Sequence, residues 1–103
     1  MLGMTRKPGQ SLLIGDTVVV VGHSDGGEFS LFICSPYPVE LVRGGWETEP
    51  FEAQTLAKGD FLKIGEQIML SIGKVGDRKI KVGVQAPEKV LVLRGELYGA
   101  PAE

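Results

Sequence analysis

The chain repeats itself with a period close to fifty residues. Thr5, Gly9, Leu12, Ile14 and Gly15 recur as Thr55, Gly59, Leu62, Ile64 and Gly65, and Asp16 and Val18 recur as Glu66 and Ile68. One extra residue, assigned to the hairpin that follows, moves the offset to fifty-one, where Pro36, Val39, Arg43 and Gly44 meet Pro87, Val90, Arg94 and Gly95. Pairs in register over a whole unit, with one gap, are the mark of tandem supersecondary units. A unit of about fifty residues is below the size that usually sustains its own core, whereas two fused copies can share one. The expected architecture is therefore a small all-β pseudo-dimer with internal two-fold symmetry. It is built from two tandem five-strand repeats at 1–46 and 51–103, with 47–50 as the end of a linker.

Local patterns agree with strands. Ile80, Val82 and Val84 alternate with Lys79, Lys81 and Gly83, the period of a half-buried strand. Gln85-Ala86-Pro87 reads as a turn, since Pro87 cannot donate to a ladder, and Val90 and Val92 resume the alternation up to Arg94. In the first copy, Leu2 to Lys7 is a strand closed by Pro8-Gly9, Ser11 to Ile14 a second, and Val18 to Val21 a buried third. Gly22 to Gly27 reads as a polar turn, Phe29 to Ile33 as a strand, and Ser35-Pro36-Tyr37-Pro38 as a turn. Val39 to Val42 is a strand ending on Arg43, and Gly44 to Pro50 is a linker without strand alternation.

Composition excludes several classes. No apolar run reaches the eighteen residues of a membrane-spanning helix, and Arg6-Lys7-Pro8 interrupts any signal peptide. Cys34 is the only cysteine, so no internal disulfide can form and a reducing, cytoplasmic setting is the simplest. His23 has no second histidine or nearby cysteine to share a metal, and Cys34 reads as a small buried residue. No nucleophile–base pattern, phosphate-binding glycine loop or paired carboxylates can be placed, so no enzyme, cofactor or metal is expected. The net charge of −2 is not that of a general nucleic-acid binder. Its distribution is uneven, however. No Lys or Arg lies between Pro8 and Val42, whereas Lys74, Arg78, Lys79, Lys81, Lys89 and Arg94 crowd the last third. Any anion site must therefore be local.

The opening Leu2-Gly-Met-Thr-Arg-Lys-Pro-Gly-Gln-Ser-Leu-Leu-Ile-Gly-Asp16 resembles that of the carbon storage regulator family, CsrA/RsmA, with its Met-Leu-x-Leu-Thr-Arg-Arg strand and Gly-Glu-x-x-x-Ile-Gly-Asp run. Gly73 to Arg94 is similar to the family's hairpin, Asn-Ala-Pro turn and Val-x-Val-His-Arg strand. The resemblance implies an interlocked fold in which each site joins the first strand of one protomer to the last strand of the other. It also implies binding of GGA-containing mRNA leaders or small regulatory RNAs, and control of translation. This sequence departs from the family pattern. It is a tandem fusion, so a monomeric pseudo-dimer is implied. The family's carboxy-terminal helix is missing or vestigial after both copies, at Gly44-Gly45-Trp46 and at Gly99-Ala-Pro-Ala-Glu. Leu93 stands where the family has histidine.

Carried onto these positions, the resemblance implies one RNA-binding site formed by Met4, Thr5, Arg6, Lys7, Ala86, Pro87, Val92, Leu93 and Arg94. Arginine suits this role because it can donate two bonds to guanine, and splayed bases and phosphates are how single strands are held. Taken alone, the same residues also read as solvated charges guarding a sheet edge. The second site, Gln54, Thr55, Leu56, Ala57 and Arg43, keeps only its arginine, and Glu40 and Glu52 are expected to repel phosphate. It reads as inactive toward RNA, with Leu56 and Ala57 serving either as packing or as a protein-binding surface. Gly73-Lys-Val-Gly76 has the spacing of the backbone-clamping loop of KH domains, although a hairpin turn accounts for it. Two functions remain: a cytoplasmic post-transcriptional regulator with one intact RNA site, or a protein-interaction or competitor module of the same fold.

Overall fold

The computed structural model describes residues 2–44, 47–76 and 78–95. The expected helix-free junction at Gly44-Gly45-Trp46 and the segment after Gly95 lie largely outside these residues. Eleven strands are described. The first half holds β1 (Leu2–Arg6), β2 (Ser11–Ile14), β3 (Thr17–Asp25), β4 (Glu28–Cys34), β5 (Val39–Arg43) and β6 (Glu47–Pro50). The second holds β7 (Leu56–Ala57), β8 (Phe61–Ile64), β9 (Ile68–Val75), β10 (Ile80–Gln85) and β11 (Val92–Arg94).

The strands form two sheets, and each draws on both halves. One runs β1-β10-β9-β8-β5-β6 and the other β11-β2-β3-β4-β7. The middle three strands of each half stay together, while its first and fifth strands cross to flank the other half's three. All described pairings are antiparallel. Neither half could close its core without the other, because Leu41 and Leu56, both fully buried, lie on exchanged strands. The sheets enclose one apolar cluster that includes Leu12, Ile14, Phe29 and Leu31 from the first half and Leu62, Ile64, Leu70 and Ile80 from the second. Truncating one of these leucines to alanine costs about 2–5 kcal/mol.

The halves repeat each other bond for bond at the turn before their second strand. Gln10 N donates to Lys7 O and Asp60 N to Ala57 O. Gly9 N donates to Val21 O and Gly59 N to Ile72 O. Both glycines have positive φ, +88° and +95°, a region open to glycine without steric cost.

Four local readings are corrected. The extra residue of the second half lies in the Gly65-Glu66-Gln67 turn and not in the later hairpin, because Ile14 pairs with Thr17 while Ile64 pairs with Ile68. Thr17, not Val18, therefore matches Ile68. The segment from Gly22 is strand as far as Asp25, and the hairpin turns on Gly26 and Gly27, both at positive φ. Val90 belongs to a turn, its N–H bonded to Pro87 O, so β11 begins only at Val92. The linker also carries a strand: β6 pairs with β5 from Glu40–Pro50 to Arg43–Glu47.

Candidate nucleic-acid interface

Period-two alternation decides which β1 side chains reach solvent. Met4 and Arg6 point inward, 8% and 4% exposed, while Gly3, Thr5 and Lys7 are exposed. Arg6 is therefore a buried cation held by backbone carbonyls. Its Nε donates to Thr5 O at 2.9 Å and its Nη1 to Ser11 O at 3.1 Å. The expectation that Arg6 stands at the surface as a phosphate-facing charge is corrected: it ties β1 to β2.

β11 brings Arg94 to this place. In the register of β11 with β2, Val92 lies opposite Ile14 and Arg94 opposite Leu12. Both partners are core residues, so Arg94 projects on the side that faces the other sheet. It comes to rest, exposed, beside β1. A cleft of about 570 Å³ is lined by Gly3, Met4, Thr5, Arg6, Lys7, Gln10, Lys81 and Arg94. Lys81 stands across the ladder from Thr5. No described residue pairs with the Arg94 guanidinium. The cleft thus gathers three exposed cations, Lys7, Lys81 and Arg94, along a strand edge that no described strand covers.

Of the other residues expected here, Ala86, Pro87 and Val92 line a neighbouring cleft of about 510 Å³ with Leu2. The two clefts adjoin along β1. Leu93 belongs to neither, since it lies opposite Leu13 on the outer face of its sheet. Lys81 and Gln10 were missed from the sequence. Lys81 was legible as a polar position in the alternating β10, but only the β1–β10 register shows what it faces.

The equivalent place in the second half is built differently. Arg43, at the end of β5, donates from Nε to Asp60 Oδ1 at 3.2 Å and from Nη2 to Asp60 Oδ2 at 2.9 Å. Nη2 also donates to Thr55 O at 2.9 Å. The arginine side chain is 49% exposed and the carboxylate 8%. Hydrogen bonding to Asp60 raises the Arg43 pKa against the opposing effect of desolvation, and Asp60, Glu49 and Glu28 add to the rise through their charge. Burial pushes the Asp60 carboxyl up, but its bonds to Arg43 and to Ala57 N–H, with the Arg43 charge, hold it below the usual carboxylate value. The carboxylates whose charge acts on Arg43 are Asp60, Glu49 and Glu28. Glu40 lines a separate cleft with Tyr37 and Lys63.

Leu56 is fully buried at the position matching Arg6. The Arg-to-Leu difference between the halves is therefore a difference in the interior, and the other differences are Lys7 against Ala57, Lys81 against Ser30 and Gln10 against the buried Asp60. Gln54 is bound locally: its amide donates to Pro50 O and its Oε1 accepts from Glu52 N. Thr55 Oγ1 donates to Glu28 at 3.3 Å. β6 covers the edge of β5 on this side. Among the described residues no group of three or more His, Cys, Asp or Glu could hold a metal ion, and no helix is long and apolar enough to cross a membrane.

The profile of the CsrA family, described as a global regulator protein family, matches residues 55–103. The translational regulator CsrA of Clostridium botulinum strain Langeland is 39% identical over 49 residues, spanning 48% of this chain and 68% of that protein. The translational regulator CsrA of Thermotoga maritima is 40% identical over 40 residues, 39% of this chain and 48% of that protein. No solved structure matches the chain.

Proposed function

This chain belongs to the CsrA family of global regulators, and on that premise we propose that it is a post-transcriptional regulator with a single RNA-binding cleft, which holds GGA-containing single-stranded or hairpin-loop leader RNA. In this reading the chain is a tandem fusion that supplies both halves of a family dimer, and it acts as a monomer. The observation that carries the proposal is the contrast between the two equivalent arginines. Arg94 is exposed, has no described partner and shares a cleft with Lys7 and Lys81. Arg43 is bound to Asp60.

The chemistry suits a splayed single strand. A guanidinium fork can donate to both O6 and N7 of guanine. Lys7 and Lys81 can follow the phosphates, and the open edge of β1 offers backbone groups to base edges. Arg6, buried beneath, is a positioning residue that fixes the strand carrying Thr5 and Lys7. Ala86 and Pro87 in the adjoining cleft would extend the path of the strand along Leu2.

A titration of a GGA hairpin RNA into the chain, read by calorimetry with the particle mass followed by light scattering, tests the reading. One RNA per chain on a particle of one chain mass is expected. No binding, or an obligate two-chain particle at micromolar concentration, would refute it. The first result would leave the protein-interaction reading of the same fold, in which the Leu56–Ala57 side meets a protein.

A further inference from the structure

The stretch from Pro8 to Val42, which carries no Lys or Arg, supplies β2, β3 and β4, the three middle strands of the β11-β2-β3-β4-β7 sheet. Leu12, Ile14, Val19 and Leu31 are buried in the core, so the residues that alternate with them face outward. Two rows of strand partners cross that outer face. Leu93, Leu13, Val18 and Cys34 make one, and Ser11, Val20 and Phe32 the next. No charged residue stands in either row. Phe32 is 61% exposed, and its ring lies against β3, where a Cβ on Gly22 would come within 2.9 Å of it. Cys34 is exposed as well.

The second half builds the same ladder from different side chains. There Lys63 pairs with Met69, Met69 with Gln85 and Ser71 with Gly83. Leu13, Cys34, Val20 and Phe32 are thus matched by Lys63, Gln85, Ser71 and Gly83, and Lys63 stands opposite Glu40. Phe61 against Ser11 runs the other way. The strands form without outward apolar side chains at these positions, so those of the first half are surplus to the fold. A contiguous apolar patch with a polar rim marks a contact surface.

The rim indicates what the face fits. Asp16 is exposed in the turn between β2 and β3, and Glu28 is exposed on the outward side of β4 with Ser30 and Phe32. None of β2, β3 and β4 carries Lys or Arg. Phe32 could stack on a base, but these strands offer no cation to follow phosphates. An anionic lipid surface finds none either. A helix about 10 Å across covers two to three strands spaced near 4.8 Å.

We propose that the outer face of this sheet is a docking surface for a basic amphipathic helix of another protein. Its apolar side would cover Leu13, Val20 and Phe32, and its Lys or Arg side chains would meet Asp16 and Glu28. The surface is independent of the RNA cleft, because Arg94 projects from the opposite side of β11.

The test uses a synthetic leucine–lysine helix of about eighteen residues, with a leucine–glutamate helix of the same pattern beside it. Each is titrated into the isotope-labelled full chain and followed by NMR, whose spectra also report folding. Saturable shifts centred on Leu13, Val20 and Phe32 are expected with the lysine helix. The glutamate helix should bind more weakly, with the gap closing as salt rises. Leu13→Lys, which installs the residue of the second half, should weaken the lysine helix at least about tenfold, as should Phe32→Ser. Asp16→Asn with Glu28→Gln should erase the preference for lysine over glutamate. No saturable shift, shifts centred elsewhere, or equal affinity for the two helices overturns the proposal. A two-chain particle that Leu13→Lys splits would assign the face to a second copy, and binding seen only after deletion of residues 96–103 would assign it to that segment. Loss of GGA-hairpin affinity in folded Leu13→Lys would assign it to RNA. Each of these three results also overturns the proposal.

Discussion

Arg94 and Arg43 end equivalent strands, so symmetry alone would predict equal consequences for their removal. Their surroundings predict a double dissociation. Arg94 is exposed with no described partner, so Arg94→Ala should leave the fold intact and remove a bidentate base contact. Such a contact discriminates by about 1–3 kcal/mol, so GGA-hairpin affinity should fall roughly 5- to 150-fold. Arg43→Ala removes the partner of a carboxylate that is only 8% exposed. Breaking a fully buried pair costs about 3–5 kcal/mol. Since the Arg43 side chain is 49% exposed, solvent screening reduces this to about 1–2 kcal/mol. For a domain of this size, that is a drop in melting temperature of roughly 5–15 °C. RNA affinity should change less than about twofold, because the fork never faced RNA. Fluorescence anisotropy on one labelled hairpin and thermal unfolding by circular dichroism, run on both variants, measure the two axes. Adding Asp60→Asn to Arg43→Ala should recover part of the lost stability, since it removes the orphaned charge. Equal affinity losses in the two alanine variants, or an unshifted melting temperature for Arg43→Ala, would refute the reasoning.

Two further outcomes are expected. With Lys7 and Lys81 as the cations that follow the phosphates, and about 0.7 per neutralised phosphate on a single strand, log affinity should fall against log salt with a slope of roughly −1.5. A slope steeper than about −6 in filter binding from low to high salt would place the main contact on the wider lysine surface of the second half. Asp60 makes stability acid-sensitive in a defined direction. Its folded pKa is lowered, so its contribution is present above the unfolded carboxyl value of about 4. The contribution is lost as pH falls through the lower folded value. The gap in urea midpoint between wild type and Asp60→Asn should therefore be widest near neutrality and shrink below about pH 4. A gap that stays constant down to pH 2 would show that the Asp60–Arg43 pair is not the titrating contact.

How much of this was legible in the sequence depends on what each residue spends its side chain on. The strands were read wherever an apolar residue alternated with a polar one, because burial on one face imposes that period. β6 escaped for the converse reason. Thr48, Glu49 and Pro50 are all exposed, so this edge strand is held by backbone pairing with β5 and carries no apolar pattern. Alternation likewise says nothing about which half supplies a strand's neighbour. The repeat and the family resemblance pointed to an interlocked unit, and the registers show that the first and fifth strands are the ones that cross.

Charge misled in the opposite way. Arg6 and Lys7 look alike in sequence, and both were expected at the surface. Adjacent positions on a strand face opposite sides, and in the structure Met4 and Arg6 share the inward face while Thr5 and Lys7 share the outward one. At that position Arg6 donates to Thr5 O and Ser11 O, and the second half fills the same position with Leu56. The residue that pairs with Arg43 stood at a position the repeat had aligned without weighing, Asp60 against Gln10, one step after the matched glycines. Sequence shows that the two differ by a charge. Only the geometry shows that the turn bond survives either way, with the carboxylate of Asp60 bound to Arg43 and the equivalent fork on Arg94 without a partner among the described residues.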